Sequence, residues 1–534
     1  EQRLALYGGN ARDPWASDTA LLQAANLIAE EAQRVLGGER SRVEGHLFLM
    51  HLKTLQTTRH FILPDALCPN CGSVPDDSPE AARLTLKPSP KVNPHSFRCR
   101  SIDALRESLL KDYVDDRAGF LINKGIDQYT PFAVATVKLP LIGQDETAGG
   151  RSHSYAESTL TAILEGLERY CGIAPNGKRI VVQGSYRELE SQAMNPESVG
   201  VHAPEQYASG AHHYAPFDPD QPITWVWGYS FQQDRPILVP ESLTYYGGGC
   251  GQGYVFETSN GCAMGGSLEE AIFYGILEVV ERDAFLMTWY AQLPLPRLDL
   301  SSVQDQELQL MIARLRTAAG YDLHVFHATM EHGIPSVWAI LKNRKPQGAN
   351  VVCVAAAHLD PVRAVKGAMQ EMAGMIGLID HKIETEREKI ERMLDDPFLL
   401  TDMSEHCALY GLPQAEERLG FLLNEDRPLQ PFDTAFTWPA KHHADLTDDL
   451  KDVLQVFERL QLDVIVVDQT TPEMKRNGLY CVKVLIPGML PMTFGHRNTR
   501  VTGLERVLKV PMQLGYVPRP LTVEQLNPHP HPFP

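Results

Sequence analysis

Apolar residues recur along this chain in two patterns, one typical of strands and one typical of helices. Strand-like runs, bounded by turn residues, lie at 46–63, 223–240, 321–342, 350–358 and 462–488. Apolar residues at helical spacing lie at 18–37, 151–171, 264–284 and 360–377. Interleaved strands and helices are typical of α/β or α+β layers, and we predict an α+β fold.

A proline-, serine- and aspartate-rich stretch at 76–97 is the best candidate for a domain boundary. We therefore predict an N-terminal region at 1–75, a linker at 76–97 and a main domain at 98–534. The tail at 527–534 carries proline at every second position from 528 to 534. Such spacing cannot join a helix or a sheet interior and favours extended backbone.

One acidic helix occurs twice, at 151–171 and at 264–284. Each copy has the spacing E-x7-E-x2-E-R, and every motif position of the second copy follows its counterpart in the first by the same offset. At about 100° per residue, the first and third carboxylates of a set lie within roughly 20° of each other on a helix, and the middle one within about 80°. Each helix therefore carries a narrow acidic stripe beside an apolar stripe for the core. The motif residues are Glu157, Glu165, Glu168 and Arg169, then Glu270, Glu278, Glu281 and Arg282.

The acidic stripes have two interpretations. Like charges stacked along a helix repel each other unless a cation offsets them. Carboxylate oxygens suit Mg²⁺, which commonly also takes waters and substrate phosphates as ligands. The duplicated pattern therefore indicates either a metal–phosphate site between two facing helices or two solvated acidic faces.

Composition narrows the class of protein. The 534 residues include 49 Lys and Arg against 67 Asp and Glu, and the net charge of −18 argues against a nucleic-acid partner. No apolar run approaches the ~18 residues of a membrane span, and the start as given has no signal peptide. The nine cysteines lack disulfide-like spacing. We expect a large cytoplasmic enzyme of more than one domain, without a membrane partner.

Three motifs together resemble the YcaO family of ATP-dependent enzymes that modify peptide backbones. They are the paired E-x-x-E-R strings, the Ser-Asn-Gly at 259–261, and IPGMLPMTFGHRNTR followed by the terminal Pro-x-Pro-x-Pro. The resemblance covers roughly residues 95–534 and is closest to the cyclodehydratases that form thiazoline and oxazoline rings. It implies a YcaO-type fold and ATP-dependent cyclodehydration of Cys, with Ser or Thr as further substrates. In that reaction the backbone amide oxygen of a ribosomal precursor peptide is phosphorylated.

The resemblance also implies roles for individual residues. Four carboxylates match those that hold Mg²⁺ against the ATP phosphates: Glu165, Glu168, Glu278 and Glu281. Five residues match nucleotide or phosphate contacts: Ser108, Arg151, Glu270, Arg497 and Arg500. Arg98 and Arg100 are further basic candidates near Ser108. Where other members place an Asn six residues after the Ser-Asn-Gly asparagine, this chain has Gly266, so that contact is absent or supplied elsewhere.

The proline tail is implicated near the active site of the family. We therefore hypothesise that the terminal carboxylate of Pro534 acts as a base or an orienting group. On that hypothesis, deleting the last few residues should abolish turnover and leave the fold and ATP binding nearly intact.

Residues 1–75 resemble the closing part of a ThiF-like α/β domain, which in relatives ends in a zinc knuckle. Cys68 and Cys71 are the candidate zinc ligands, with a free-thiol turn as the alternative. Structural zinc normally needs four ligands. With one C-x-x-C pair present, we expect the other pair on a partner or before this N-terminus, although Cys99 is a candidate third ligand.

The resemblance implies several partners. We expect a precursor peptide, a separate leader-peptide-binding protein of ThiF-like or equivalent type, and an azoline dehydrogenase for later oxidation. A homodimer or a larger complex is also expected. Two other function classes stay open: another YcaO backbone modification, such as thioamidation or amidine formation, and a docking scaffold that has lost catalysis.

Overall fold

The computed structural model describes residues 17–141, 145–208, 214–247, 253–424, 427–439 and 443–534. The beginning of the predicted N-terminal region, residues 1–16, therefore lies outside the described residues. No helix in the described part is long and apolar enough to cross a membrane.

The described strands group into small, mostly antiparallel sheets. They are β1 His46–Met50, β2 Thr57–Phe61, β3 Ile122–Asp127, β4 Ala133–Leu139, β5 Glu146–Ser152, β6 Val182–Gly184, β7 Ile223–Ser230, β8 Arg235–Pro240, β9 Cys262–Gly265, β10 Leu298–Asp299, β11 Tyr321–His327, β12 Ser336–Asn343, β13 Val351–Ala357, β14 Gln430–Pro431, β15 Ile465–Asp468 and β16 Tyr480–Leu485.

The described α-helices range from single turns to a helix of 35 residues. They are α1 Asp18–Leu36, α2 Pro79–Ala82, α3 Ile102–Tyr113, α4 Tyr155–Ile173, α5 Tyr186–Leu189, α6 Pro204–Ala208, α7 Glu241–Thr244, α8 Leu268–Tyr290, α9 Gln306–Arg314, α10 Pro361–Asp395, α11 Met403–Tyr410, α12 Gly420–Leu423, α13 Leu446–Arg459, α14 Pro472–Lys475 and α15 Arg506–Gln513.

Three sheets carry the main body. One has the order β3-β4-β5, a second β11-β12-β13, and the third β6-β7-β15-β16-β9 with β8 paired to β7. All of their pairings are antiparallel, whereas the short pair β10–β14 is parallel. Segregated helices on antiparallel sheets make this an α+β fold, as predicted.

Helix α8 is the centre of the molecule. It packs against β9 and β16 of one sheet and against β12 and β13 of another. Nearly its whole circumference is buried, including Phe273, Phe285 and Trp289, which are fully inaccessible. A helix that is apolar almost all round belongs in a core, so the polar residues that α8 retains need a specific explanation.

Helix α4 covers the sheet of β4 and β5 and also contacts β9 and β16. Its buried Leu160, Ile163 and Leu167 form one core cluster with Val137 and Ala148 of that sheet. Both duplicated helices therefore contact the same two strands, β9 and β16, which brings the two halves of the repeat together.

The predicted linker is packed against the body over much of its length. The carboxylate of Asp77 is buried and accepts the Trp227 N–H at 2.7 Å. The buried Lys91 ammonium lies 2.5 Å from Asp449 of α13. The division at 76–97 stays a prediction, but these contacts attach the segment firmly to α13 and β7.

Candidate active site

A cavity of about 270 Å³ opens where α4, α8 and β9 meet. The carboxylates of Glu168 from α4 and of Glu278 and Glu281 from α8 all line it. The guanidinium of Arg98 and the ring of Tyr274 lie on the same wall. The structure thus brings acidic side chains from both copies of the repeat to one cavity, as the facing-helix interpretation requires.

The duplication extends to the helix caps. The Ser154 hydroxyl accepts the N–H of Glu157 at the start of α4, and the Ser267 hydroxyl accepts the N–H of Glu270 at the start of α8. The two serines are separated by the same offset as the glutamates that they cap. Matching caps fix where each helix begins and hence which side chains reach the cavity.

The cavity carboxylates are held in an unfavourable environment. Burial, reinforced by repulsion from Glu278 and Glu165, raises the pKa of Glu168 well above its usual range. Burial raises the pKa of Glu278 to about 7 and that of Glu281 to about 8, with Glu371 of α10 adding repulsion in both cases. Without a cation the site therefore favours protonated carboxyl groups, and a divalent cation would stabilise the ionised forms.

These raised pKa values predict a definite pH dependence of stability. The folded state retains protons that the unfolded chain releases near pH 4 to 5, so stability should fall as pH rises through the folded values of about 7 and 8. Without metal, the unfolding temperature should therefore be lower at about pH 9 than at about pH 6. Added Mg²⁺ should raise the unfolding temperature mainly at the higher pH, where the carboxylates are ionised. A Glu278→Gln/Glu281→Gln variant should lose most of this dependence. An unchanged pH profile in that variant would contradict the assignment.

Glu371 does not line the cavity, but it is a charged neighbour of the site that the sequence motifs did not predict. It lies on α10, outside the duplicated motif, and its charge acts on both Glu278 and Glu281. A signal was present, because Gln370 and Glu371 interrupt an otherwise apolar helical stretch at 367–379. A third helix therefore contributes a carboxylate near the cavity.

Glu270 and Arg98 form one unit at the cavity wall. The Glu270 carboxylate is buried and accepts the Arg98 guanidinium and the Cys99 N–H, each at 2.9 Å. The Arg98 guanidinium also stacks over the Tyr274 ring at 3.8 Å from its centroid. Glu270, predicted as a nucleotide contact, thus serves in this structure to hold Arg98, whose side chain remains half exposed.

Glu165 and Arg151 lie on either side of the β5–α4 junction. Glu165 accepts the Gly149 N–H and pairs with Arg169, and it does not line the cavity. The Arg151 side chain reaches α10, where its Nη2 lies 3.7 Å from the Met375 sulfur. Its Nε is buried without a hydrogen-bond partner, which leaves a donor free for an anionic ligand.

None of the five predicted nucleotide contacts lines the cavity, although Glu270 binds Arg98 at its wall. Ser108 donates its hydroxyl hydrogen to the Leu105 carbonyl within α3. The Arg497 guanidinium stacks over Phe398 at 5.6 Å. Arg500 is fully buried and donates to the carbonyls of Val199, Gly200 and Phe256 and to the Glu257 carboxylate. Because these bonds use most of its N–H groups, Arg500 fits a structural role better than phosphate binding.

The proline tail is seated along α8 and is deeply buried near its end. The Asn527 N–H donates to the Tyr290 carbonyl, and Trp289 Nε1 donates to the His529 carbonyl. Farther along, the Phe533 ring packs edge-on against Phe285 at 4.8 Å and lies 4.1 Å from the Arg282 guanidinium. The tail thus runs from the end of α8 back toward the acidic motif, and Pro534 follows directly on the residue that contacts Arg282. The sequence analysis expected that deleting the last few residues would leave the fold nearly intact. Because this segment is buried, its deletion should also lower the stability of the protein.

The C-x-x-C turn lies in the N-terminal region, away from the cavity. Cys68 accepts backbone N–H groups, foremost from Asn70, which lowers the pKa of its thiol. Among the described residues, no third His, Cys, Asp or Glu side chain joins Cys68 and Cys71 in a group that could hold a metal ion. Cys99 instead packs near Ser267. The predicted zinc site is therefore not supported, because the pair lacks the remaining ligands that structural zinc needs.

Comparison with known proteins agrees with this geometry. The family model described as YcaO cyclodehydratase, ATP- and Mg²⁺-binding, matches residues 149–490. An uncharacterized protein in the tfuA 3′ region of Rhizobium leguminosarum bv. trifolii is 30% identical over 233 residues, which are 41% of this chain and 52% of that protein. An uncharacterized protein of Methanothermobacter thermautotrophicus is 27% identical over 157 residues, 28% of this chain and 40% of its own length. The chain thus spans about half the length, or less, of these curated relatives.

Solved structures share the fold at low sequence identity. A heterocyclase in complex with substrate and cofactor superposes with a TM-score of 0.79 and 23% identity, covering 98% of this chain and 70% of that one. The heterocyclase TruD gives 0.68 and 22%, covering 96% and 65%. YcaO from Methanopyrus kandleri, bound with AMPPCP and Mg²⁺, gives 0.53 and 18%, covering 75% and 95%.

Proposed function

The chain belongs to the YcaO cyclodehydratase family, and we propose that it catalyses ATP- and Mg²⁺-dependent cyclodehydration of Cys, and also of Ser or Thr, in a ribosomal precursor peptide. The single observation that carries this proposal is the convergence of Glu168, Glu278 and Glu281 on one cavity with Arg98 at its wall. A purely docking protein would gain nothing from burying three repelling carboxylates at one place.

The donor set fits magnesium. Hard carboxylate oxygens are its preferred protein ligands, and Mg²⁺ usually takes one or two of them together with waters and phosphate oxygens. Carboxylates spread around a cavity therefore suit a metal–nucleotide complex better than a cage in which every ligand is protein. Glu168, Glu278 and Glu281 would hold the metal, whereas Glu165 is already bound by the Gly149 N–H and Arg169. Bound magnesium would neutralise the charge of the ATP phosphates.

The proposed chemistry explains the other residues of the site. A peptide thiol or hydroxyl adds to the preceding amide carbonyl, and the former carbonyl oxygen must then leave. Because oxide is a very poor leaving group, its phosphorylation by ATP and departure as phosphate makes ring formation feasible. Such phosphoryl transfer depends on positioning and charge neutralisation more than on covalent help from the protein. Arg98, stacked on Tyr274 and paired with Glu270, and Arg151, with its unpaired Nε, are the cations we assign to phosphate oxygens.

The Pro534 carboxylate is the group we assign to proton transfer. The peptide nucleophile and the amide nitrogen must both lose protons as the ring closes. Because the seated tail brings Phe533 against Arg282 of the acidic motif, we assign to the carboxylate of Pro534, the next residue, the role of accepting or orienting one of these protons. A precursor peptide and a separate leader-peptide-binding partner complete the proposed system.

The proposal is tested by mass spectrometry of a leader-bearing peptide rich in Cys, Ser and Thr, incubated with the protein, its partner, ATP and Mg²⁺. Each ring formed should remove one water. With an amide oxygen carrying a heavy isotope, the label should appear in the released phosphate. Exchange of oxygen for sulfur would indicate thioamidation, and an unchanged peptide mass together with failure to bind Mg²⁺ and ATP would indicate a scaffold.

Arg98 gives a separate prediction. An Arg98→Met variant retains the stem over Tyr274 and loses the charge, so the dissociation constant of Mg²⁺·ATP should rise about tenfold to a hundredfold, as expected for a lost charge-assisted hydrogen bond. Calorimetric titration measures this constant. Arg106→Met on the exposed face of α3 is the matched control and should bind like the wild type. If both variants bound Mg²⁺·ATP equally well, Arg98 would not be a nucleotide contact.

A further inference from the structure

The two arginines that end the duplicated motifs are in different states. In the first copy, Arg169 makes close ion pairs at 2.7 Å with Glu165 and with Glu146. In the second copy, the nearest carboxylate oxygens of Glu278 and Glu281 are both 3.7 Å from the Arg282 guanidinium, beyond hydrogen-bonding distance. The Arg282 Nε is buried and has no hydrogen-bond partner.

The C-terminal tail packs against Arg282 of the second copy. The Phe533 ring lies 4.1 Å from the Arg282 guanidinium carbon and is completely buried. The Phe533 ring also packs against the Phe285 ring, which in turn stacks on Trp338 at 4.6 Å. A cation over an aromatic face in a desolvated position is attracted to the ring. Arg282 is therefore held against the tail and not drawn fully onto its own carboxylates.

The tail segment that carries Phe533 is itself well fixed. The carbonyls of Pro530 and His531 accept hydrogen bonds from Tyr410 and His406, at 2.6 and 2.7 Å. The His531 Nε2 donates to the Thr493 carbonyl at 2.8 Å. Because the backbone on the N-terminal side of Phe533 is bonded to α11 and to the 493–495 loop, the ring cannot move away from Arg282 without breaking these contacts.

We propose that Phe533 is a positioning residue, whose ring keeps Arg282 off the carboxylates of Glu278 and Glu281 so that their oxygens remain available to Mg²⁺. This inference rests on the proposed function, because it assigns those carboxylates to the metal. Without the ring, Arg282 would adopt the close pairing seen for Arg169, and its N–H groups would occupy the lone pairs that the metal needs. The unpaired Nε would also be lost as a donor to an anionic ligand. The penultimate side chain of the tail thus acts on metal binding, a role separate from that of the terminal carboxylate.

The test is calorimetric titration with Mg²⁺ and a nonhydrolysable ATP analogue, so that the readout is independent of turnover. Phe533→Leu keeps an apolar side chain of similar size and removes the ring. Its dissociation constant should rise about tenfold, as expected for a desolvated cation–π contact. A series of phenylalanines with increasing ring fluorination at 533 should weaken Mg²⁺·nucleotide binding progressively, because fluorine withdraws electron density from the face of the ring with little change in its volume. A merely structural role would not follow ring electronics.

Two further variants isolate the path of the effect. Phe61→Leu removes a ring from beneath Arg476 in the N-terminal hairpin and should leave nucleotide binding unchanged. In an Arg282→Gln background, the added Phe533→Leu change should alter the dissociation constant less than about twofold, because the residue through which it acts is gone. A flat fluorination series, or the same tenfold loss without Arg282, would overturn the inference. If the wild type binds no Mg²⁺·nucleotide, the proposed function fails as well, so the two failures can be told apart.

Discussion

Replacing Glu278 by glutamine is expected to lower turnover about a thousandfold, the size of effect found when one preorganised electrostatic group is removed from an active site. The same variant should be more stable than the wild type when Mg²⁺ and nucleotide are absent. Both effects have one cause. Burial raises the pKa of this carboxylate to about 7, so above that pH its charge destabilises the empty protein, and the gain in stability is expected there; the charge is needed only when the metal binds.

Glu168→Gln should behave in the same way, because Glu168 lines the same cavity from the other helix. Glu157→Gln is the matched control. It belongs to the same acidic stripe by sequence, but its side chain is exposed at the start of α4. Peptide turnover and thermal unfolding should both be unchanged in this control. A loss of activity in Glu278→Gln that is accompanied by lower stability would point to misfolding and contradict the account.

Converting the terminal carboxylate of Pro534 to an amide is expected to reduce turnover by about a hundredfold or more, with unfolding and Mg²⁺·nucleotide binding unchanged. Proton transfer by a positioned group commonly contributes a factor of about 10² to 10⁴. The amide leaves Phe533 and the tail contacts in place, so only the charge and basicity at the chain end change. Semisynthesis of the tail followed by single-turnover kinetics with the precursor peptide measures the effect.

Deletion of 527–534 provides the contrast. It should also abolish turnover, but it removes the buried Phe533 and the bonds to Trp289 and Tyr290, so unfolding should occur at a lower temperature. Truncation alone therefore cannot separate chemistry from folding. Full turnover by the amidated protein would show that the terminal carboxylate has no part in proton transfer.

The duplicated helix could be predicted from the sequence because its information is local. Helical spacing fixes which carboxylates share a face, and the constant offset between the two motifs shows that the face was copied. The convergence of the two copies depends on long-range packing of α4 and α8 on β9 and β16, which periodicity does not encode. The sequence therefore predicted which carboxylates could form the site. It did not decide whether the two helices face each other around a metal–phosphate site or present two separate solvated faces.

Single charged residues were harder to place. Arg500 resembles a phosphate ligand by its motif, yet its side chain is buried among three carbonyls and Glu257. Glu371 lies outside the repeat and acts on the cavity carboxylates only because of where α10 packs. Charged groups of these kinds are assigned by what surrounds them in space, and sequence spacing carries little of that information.

The most direct test of the central claim is a crystal structure with Mg²⁺ and a nonhydrolysable ATP analogue. The account predicts metal ions between α4 and α8, with carboxylate oxygens contributed by Glu168 and by Glu278 or Glu281 at about 2.1 Å. Metal bound through one helix alone, or a nucleotide located outside this cavity, would contradict it.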